Sequence, residues 1–592
     1  MFRKAFIPIY LIAFIGLTYF VFFRDTTKHP DWEPFNENVF KKAKRENKLV
    51  VLHLGANWCH WCHVMEQNTY ANPLVIEYLD KNYITCKEDH DARQDLTSLY
   101  AQYDWPATII FDADGHELAK EVGFIDSDRF MTMLTQLHNN PTPLPDNSFQ
   151  VDIRTTTDSS KQQSLNVLNQ KFLNAIDIKE GGFNFGQKYI DFESFEYAFN
   201  HSNTDTTLRQ WVENSIVNST GVYDNAWGGV FQYSSNNDWK HVHYEKLLSI
   251  QARYIKMYCW YYKRYNDIDA LKKAEGTAAY VDRFLNADNG GYYNAQDADL
   301  TPGQKATDYF ALTDADRVAQ GIPAVDENMY TSGNAEIAEA FLILWATNGN
   351  KIYLDKATKC INLLMNERKL NNAYTHGEEN TTTSLKDNLA MLKTLMLVYR
   401  ATENPVYKSE ASKLVREIST TFYSGKGYLY THIGSSPIKA TYNVSENIEA
   451  CRLLNYSSYF FKDVKYKNVS LEILKFLTNP ALVSKLQTEV GILTAAEELQ
   501  LDPTLAVMML KKDNSMKSNF IATCISFPQF YFNNVVYTHK TIGSDKIDLF
   551  DAYDKNFMIV CTSSYCSSPE FTMDAYNKLL YARLLGDTLE IK

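Results

Sequence analysis

At 592 residues the chain is too long for one hydrophobic core, so two or more domains are expected. A net charge of −12 argues against nucleic acid as a routine partner, and nine cysteines over this length do not make a disulfide scaffold. The 39 tyrosines and 33 phenylalanines suit clefts lined with rings, although plain helix packing accounts for most of them.

Residues 5–23 carry no charged side chain and are long enough to cross a bilayer as a helix. Arg3 and Lys4 precede this stretch, while Arg24 and Lys28 follow it diluted by Asp25, Asp31 and Glu33, so the short leading end with its two charges and amino group favours an inward N-terminus. No small-x-small cleavage site comes after Phe23, so residues 1–28 read as an uncleaved membrane anchor rather than a signal peptide. In a bacterium this places the rest of the chain outside the cytoplasm, in the periplasm.

Residues 29–140 alternate helical and strand patterns. An amphipathic helix is expected over 36–47, then a buried strand over 49–54. Directly after it comes Ala-Asn-Trp-Cys-His-Trp-Cys-His-Val-Met, residues 56–65. Cys59 sits where strand turns into helix, so free N–H groups and the helix dipole favour its thiolate, the nucleophilic form. Cys62 lies one turn later on the same side and is placed to resolve a mixed disulfide. A helical pattern over 75–79, a strand over 83–87 and a helix over 95–103 follow. A hairpin about Asp114-Gly115 and a helix over 126–138 complete a β-α-β-α-β-β-α order.

Trp58-Cys59-x-x-Cys62 after a strand resembles the thioredoxin active site, and Trp105-Pro106-Ala107-Thr108 resembles its cis-proline region. The longer string Cys59-His60-Trp61-Cys62-His63-Val64-Met65-Glu66 resembles the spermatogenesis-associated protein 20 (bacterial YyaL) family. That resemblance implies an α/β thioredoxin-like domain followed by an all-α (α/α) toroid of the six-hairpin glycosidase type. It also implies Cys59 and Cys62 as catalytic residues and a cis Pro106 shaping the substrate groove. Three positions depart from thioredoxins. His53 stands where their buried acid lies, either relaying protons or simply packed in the strand. His60 and Trp61 replace Gly-Pro, and a cationic His60 beside Cys59, with Trp58 before it, would tune the couple toward oxidation. Residues 87–93 match only weakly the family's Arg-Glu-Glu-Arg-Pro-like run. Cys59-His60-Trp61-Cys62-His63 also fits c-type haem attachment, a zinc site, or an inert pair; the strand–helix setting favours the dithiol, with no metal and no cofactor.

Pro141, Pro143 and Pro145 mark a linker over 141–160, ahead of a second domain over 161–592. Amphipathic helices are expected at 245–265, 268–285, 335–346, 386–399 and 448–461, a series of paired helices that suggests a toroid or solenoid. Several words resemble the same family: Gly181-Gly182-Phe183, Gly228-Gly229-Val230-Phe231, His243-Tyr244-Glu245-Lys246-Leu247-Leu248 and Gly290-Gly291-Tyr292-Tyr293-x-Ala295-Gln296-Asp297-Ala298-Asp299. Sugar chemistry at a toroid mouth needs an acid/base pair or two carboxylates, and His243, Glu245, Asp297, Asp299 and Asp387 are the candidates. His243 and Glu245 are expected at a helix start, with a Glu245–Lys246 ion pair favoured over catalysis by Glu245. For Asp297 and Asp299, turn and cap chemistry competes evenly with catalysis. The family's Trp-Asn pair is Gly333-Asn334 here, and its Pro-Ser-Gly-Asn word is Val444-Ser445-Glu446-Asn447, which points to a remodelled mouth. Cys561 and Cys566 form a disulfide or stay as two thiols.

The function expected is that of a membrane-anchored thiol–disulfide oxidoreductase. It would act on a protein dithiol or disulfide with an electron donor or acceptor, while the toroid binds carbohydrate or a glycosylated substrate. The alternatives are a sugar-active hydrolase or epimerase with an accessory thioredoxin domain, and a binding protein that turns nothing over.

Overall fold

The computed structural model describes residues 29–100, 105–144, 152–378, 382–511, 515–529 and 531–585. The anchor expected over residues 1–28 lies outside them; among the described residues, no helix is long and apolar enough to cross a membrane. The chain divides into two units. The first comprises Met1–Gly55, Trp61–Glu88 and Asp104–Pro145, and the second Ala56–His60, Asp89–Tyr103 and Asp146–Lys592.

The first unit is built on four strands, β1 (Leu49–Gly55), β2 (Tyr83–Asp89), β3 (Ala107–Phe111) and β4 (Glu117–Val122), in the order β2-β1-β3-β4. The apolar run of β1, interrupted only by His53, reflects burial on both faces. It pairs antiparallel with β3, Val50 opposite Phe111 and Leu54 opposite Ala107. Helices Glu37–Glu46 and Ser127–Asn139 start where the side chains of Asn36 and Asp126 accept backbone N–H bonds. Val51, Met65, Tyr70, Leu79, Ile110 and Phe130 form the core.

The second unit is a closed ring of helical hairpins. Helices Leu248–Tyr265, Thr331–Asn348, Leu385–Thr402 and Val444–Phe460 each fold back on the next helix in sequence, and each also packs on the next member of their own series. Phe192–His201 touches Leu248–Tyr265, and Gly491–Glu498 touches both Val444–Phe460 and Phe192–His201, so these six inner helices form a circuit. The outer partner of Gly491–Glu498 is Asp158–Ala175, the first helix of the hairpin series; Lys171 Nζ donates to the carbonyls of Val483 (3.0 Å) and Leu486 (2.6 Å) across that join. This is the α/α toroid that the helical series suggested.

A repeated device ties each hairpin loop to its helix. Gln251, Asn334, Asn388 and Asn447 each stand three residues after the first residue of an inner helix. Each side-chain amide accepts the N–H and donates to the C=O of one buried residue upstream. The pairs are Gln251 with Val230 (2.7 and 2.7 Å), Asn334 with Tyr292 (2.7 and 2.9 Å), Asn388 with Tyr374 (2.8 and 3.0 Å) and Asn447 with Leu429 (2.7 and 3.1 Å). Both backbone groups are thereby satisfied where no strand partner serves them.

The lumen of the ring carries buried charge. Arg452 donates to both oxygens of Glu196 (2.8 and 2.9 Å) and both of Glu498 (2.8 and 2.9 Å), and Lys256 pairs with Glu339 at 3.1 Å. The all-helical expectation for 161–592 needs one correction. Thr504–Met509, Phe532–Tyr537 and Phe557–Cys561 form a three-stranded mixed sheet, the first two parallel and the third antiparallel to the first. β-Branched residues such as Val507, Val535, Val536, Ile559 and Val560 favour that pleated surface over a helix. Helix Ser515–Ser526, between the first two strands, packs on three inner helices. Cys561 and Cys566 form a disulfide.

Candidate dithiol site

β1 ends at Gly55, and Cys59 directly precedes helix His60–Met65, which runs on into a π turn to Tyr70. Cys59 and Cys62 are both disulfide-bonded and nearly sealed from solvent, at 5% and 2% exposure, whereas Trp61 is 37% exposed and packs on Phe124. The Trp105–Pro106 peptide is cis, and the Pro106 carbonyl accepts from Gly123 N at 2.7 Å.

His53 lies beneath the dithiol. A methyl built on Gly55 would stand 3.0 Å from His53 Nε2 and 3.4 Å from Cys62 Sγ, so nitrogen and sulfur border the same point. Tyr70 Oη lies 3.2 Å from Nδ1, while Nε2 has no hydrogen-bond partner among the described residues. Burial pushes His53 down to about 4, which keeps the ring neutral at physiological pH.

The segments Ala56–His60 and Asp89–Tyr103 belong with the ring unit, at the loops that precede its inner helices. Trp58 Nε1 and Asn294 Nδ2 donate to the same oxygen of Asp91, at 2.6 and 2.7 Å. Burial works against the Asp91 carboxylate, but His90 and these two donors hold it below the usual range. His60 Nδ1 lies 2.9 Å from both oxygens of Asp299, and Asp299 also accepts from Gly303 N at 2.8 Å. Asp299 N in turn donates to Asp297 Oδ1 at 2.8 Å, so Asp297 performs the turn chemistry that its spacing suggested, while Asp299 holds a histidine.

Asp387 meets His376 Nδ1 at 3.0 Å and accepts from Ser332 N at 2.8 Å and from the Ser384 hydroxyl. Burial opposes its charge, yet His376 and Ser384 hold the carboxyl low. The other nitrogen of His376, Nε2, lies 2.6 Å from the Asp91 carbonyl, and Tyr330 stacks on the ring. Ser98 donates to Glu446 at 2.5 Å.

Two expectations for this region are corrected. His243 is not at a helix start: it ends the strand His241–His243 and stacks on Tyr233, because the helix begins only at Leu248. Burial pushes it down to about 4. Glu245 does not pair with Lys246, whose ammonium is drawn instead to Asp224 at 2.7 Å. Glu245 is fully buried and pushed up to about 7, with Oε2 lacking a hydrogen-bond partner among the described residues. His376, Asp91, Asn294 and Glu446 were not among the sequence candidates. Only Glu446 carried a signal, as a carboxylate where the resembled family has glycine.

Known proteins match this chain in two ways. A family model described as "Thioredox_DsbH: Protein of unknown function, DUF255" matches residues 19–137. Spermatogenesis-associated protein 20 of Rattus norvegicus is 26% identical over 309 residues, covering 46% of this chain and 39% of the relative; the Homo sapiens protein gives the same figures. The chain thus spans about two fifths of the length of these relatives. They are its homologues, and they are the family that the Cys-His-Trp-Cys string and the glycine words resemble. Among solved structures, a cellobiose 2-epimerase from Bacillus thermoamylovorans is 13% identical at a TM-score of 0.43, covering 54% of this chain and 87% of that one. A family 76 glycoside hydrolase from a bovine Bacteroides thetaiotaomicron strain is 13% identical at 0.42, covering 66% and 84%.

Proposed function

We propose that this chain is a thiol–disulfide oxidoreductase, anchored to a membrane through residues 1–28 and working outside the cytoplasm on protein thiols. The observation that carries the reading is the placement of Cys59 before a helix, with the unpartnered ring nitrogen of His53 beside Cys62. Running as a reductase, the Cys59 thiolate attacks a substrate disulfide; a Cys59–substrate bond forms and the departing sulfur leaves as a thiolate that takes up a proton. His53 Nε2 accepts the proton of Cys62. The Cys62 thiolate then attacks Cys59, which breaks the mixed disulfide, releases the second substrate thiol and leaves the pair oxidised. A dithiol donor outside this chain restores it. Running as an oxidase, the steps reverse and an electron acceptor is needed instead. Pro106 lines the groove beside the pair.

The alternative of sugar chemistry at the ring's mouth loses support, because Asp299 and Asp387 are engaged by His60 and His376 rather than facing one another as an acid/base pair. The test is a titration of the pair against glutathione, read by alkylation, together with Cys62→Ser as a trap. A reversible couple and a mixed disulfide through Cys59 are expected. A pair that stays outside the range of thioredoxin-like couples and traps nothing would overturn the proposal.

A further inference from the structure

The ring supplies a residue to the dithiol's chemistry. Asp299 comes from the loop after the strand pairing Ala295–Gln296 with Val325–Asp326, far along the chain from the cysteines, yet both of its oxygens lie 2.9 Å from His60 Nδ1. Asp299 is itself held in place: Gly303 N donates to it, and its own N–H is fixed to Asp297. Asp299 is 2% exposed and His60 8% exposed, so water screens the pair little.

We propose that Asp299 is a positioning residue for the dithiol, keeping a proton on His60 Nδ1 so that the imidazole adjoining Cys59 favours its thiolate. This rests on the oxidoreductase reading and deepens it. The physical chain is short. A carboxylate can only accept, so Nδ1 must carry the hydrogen. A cation or a fixed N–H dipole one residue from a cysteine lowers the cost of its negative charge, and a more stable thiolate makes the disulfide a stronger oxidant. Glu245 and Asp297 are the other acids that act on this corner, with His243 and, beyond it, Lys305 as the bases. Asp299 is the acid whose two oxygens lie 2.9 Å from Nδ1.

The experiment uses the full chain carrying Cys62→Ser, reduced, and follows the alkylation rate of Cys59 against pH. Asp299→Asn is expected to slow alkylation at pH 6 about tenfold, displacing the profile upward by about one pH unit. His60→Gln should do the same, and the double variant should match either single one, because Asp299 acts through His60. Additive effects, or an unshifted profile in Asp299→Asn, would overturn the proposal. Should Asp299→Asn not fold, nitrogen shifts of labelled histidine in the oxidised wild type, assigned by loss of the signal in His60→Gln, decide it. A protonated Nδ1 supports the proposal and a bare Nδ1 overturns it. Neither readout needs a substrate disulfide. A chain that traps no partner would therefore sink the oxidoreductase reading while leaving the Asp299–His60 result to stand or fall alone.

Discussion

In the lumen of the ring, Arg452 lies between Glu196 and Glu498 and satisfies all four of their oxygens. In the loop after Ala295–Gln296 and in the first turn of Leu385–Thr402, the carboxylates of Asp299 and Asp387 meet His60 and His376 instead. Both places bury carboxylates, and the choice of partner separates them. A guanidinium presents a fork of donors that reaches two carboxylates at once, whereas an imidazole offers one nitrogen to each. The lumen is a permanent brace, its partners drawn from the ring's own helices. The mouth instead reaches beyond them, and the histidine or carbonyl it grips comes from the redox motif and the segment after β2.

The sharpest way to break this comparison is Arg452→Met. Two buried carboxylates lose their cation, and the loss expected in chemical denaturation is about 4 kcal/mol; a neutral outcome would mean that the lumen pairs brace nothing. Next comes Asn388→Ala, which strands the N–H and C=O of Tyr374 in the core and should cost about 3 kcal/mol, again read by denaturation. The smallest effect is a pH dependence at the mouth. Burial pushes Glu446 up to about 7, above its usual 4.5 in an unfolded chain. The folded state therefore holds the extra proton between those values. Its contribution favours the fold below about pH 4.5 and is lost as pH rises through 7. Glu446→Gln keeps an acceptor for Ser98 and removes that loss, so it should gain about 2 kcal/mol over wild type at pH 8 and nothing at pH 4.5. Glu193 in the lumen, pushed up to about 8, has its own dependence, so the variant is scored against wild type at each pH. Equal gains at both pH values would place Glu446 with the fixed charges.

The dithiol was legible because its chemistry is local: a strand, two cysteines at one-turn spacing and a helix stand within twenty residues of one another. Four of the six inner helices were legible to within a few residues, since their apolar faces repeat along the chain, whereas the short helices Phe192–His201 and Gly491–Glu498 were not among those expected. What they close into was not legible. Gln251, Asn334, Asn388 and Asn447 are ordinary polar residues in sequence, and only the backbone they reach shows why an amide belongs at that position. Asn334 had looked like the remnant of a lost Trp-Asn pair; it is one of four identical clamps. The pairing of His60 with Asp299, 239 residues apart, leaves no trace in either neighbourhood, because each residue has a sufficient local explanation. Asp299 fitted a turn and His60 a redox motif. Neither pattern names the other.

The join between Asp158–Ala175 and Gly491–Glu498 has a consequence for biosynthesis. A solenoid can be completed one repeat at a time as it leaves the ribosome, with finished repeats already resting on their neighbours. A ring cannot, because its first helix has to wait until the last inner helix has emerged. Phe172 can settle early, on Tyr197 and Trp211 just downstream, but the side of Asp158–Ala175 that meets Gly491–Glu498 waits throughout that interval. The newborn chain thus holds one helix without its last neighbour for more than three hundred residues of synthesis, and Lys171, reaching for the carbonyls of Val483 and Leu486, is the stitch that ends the wait.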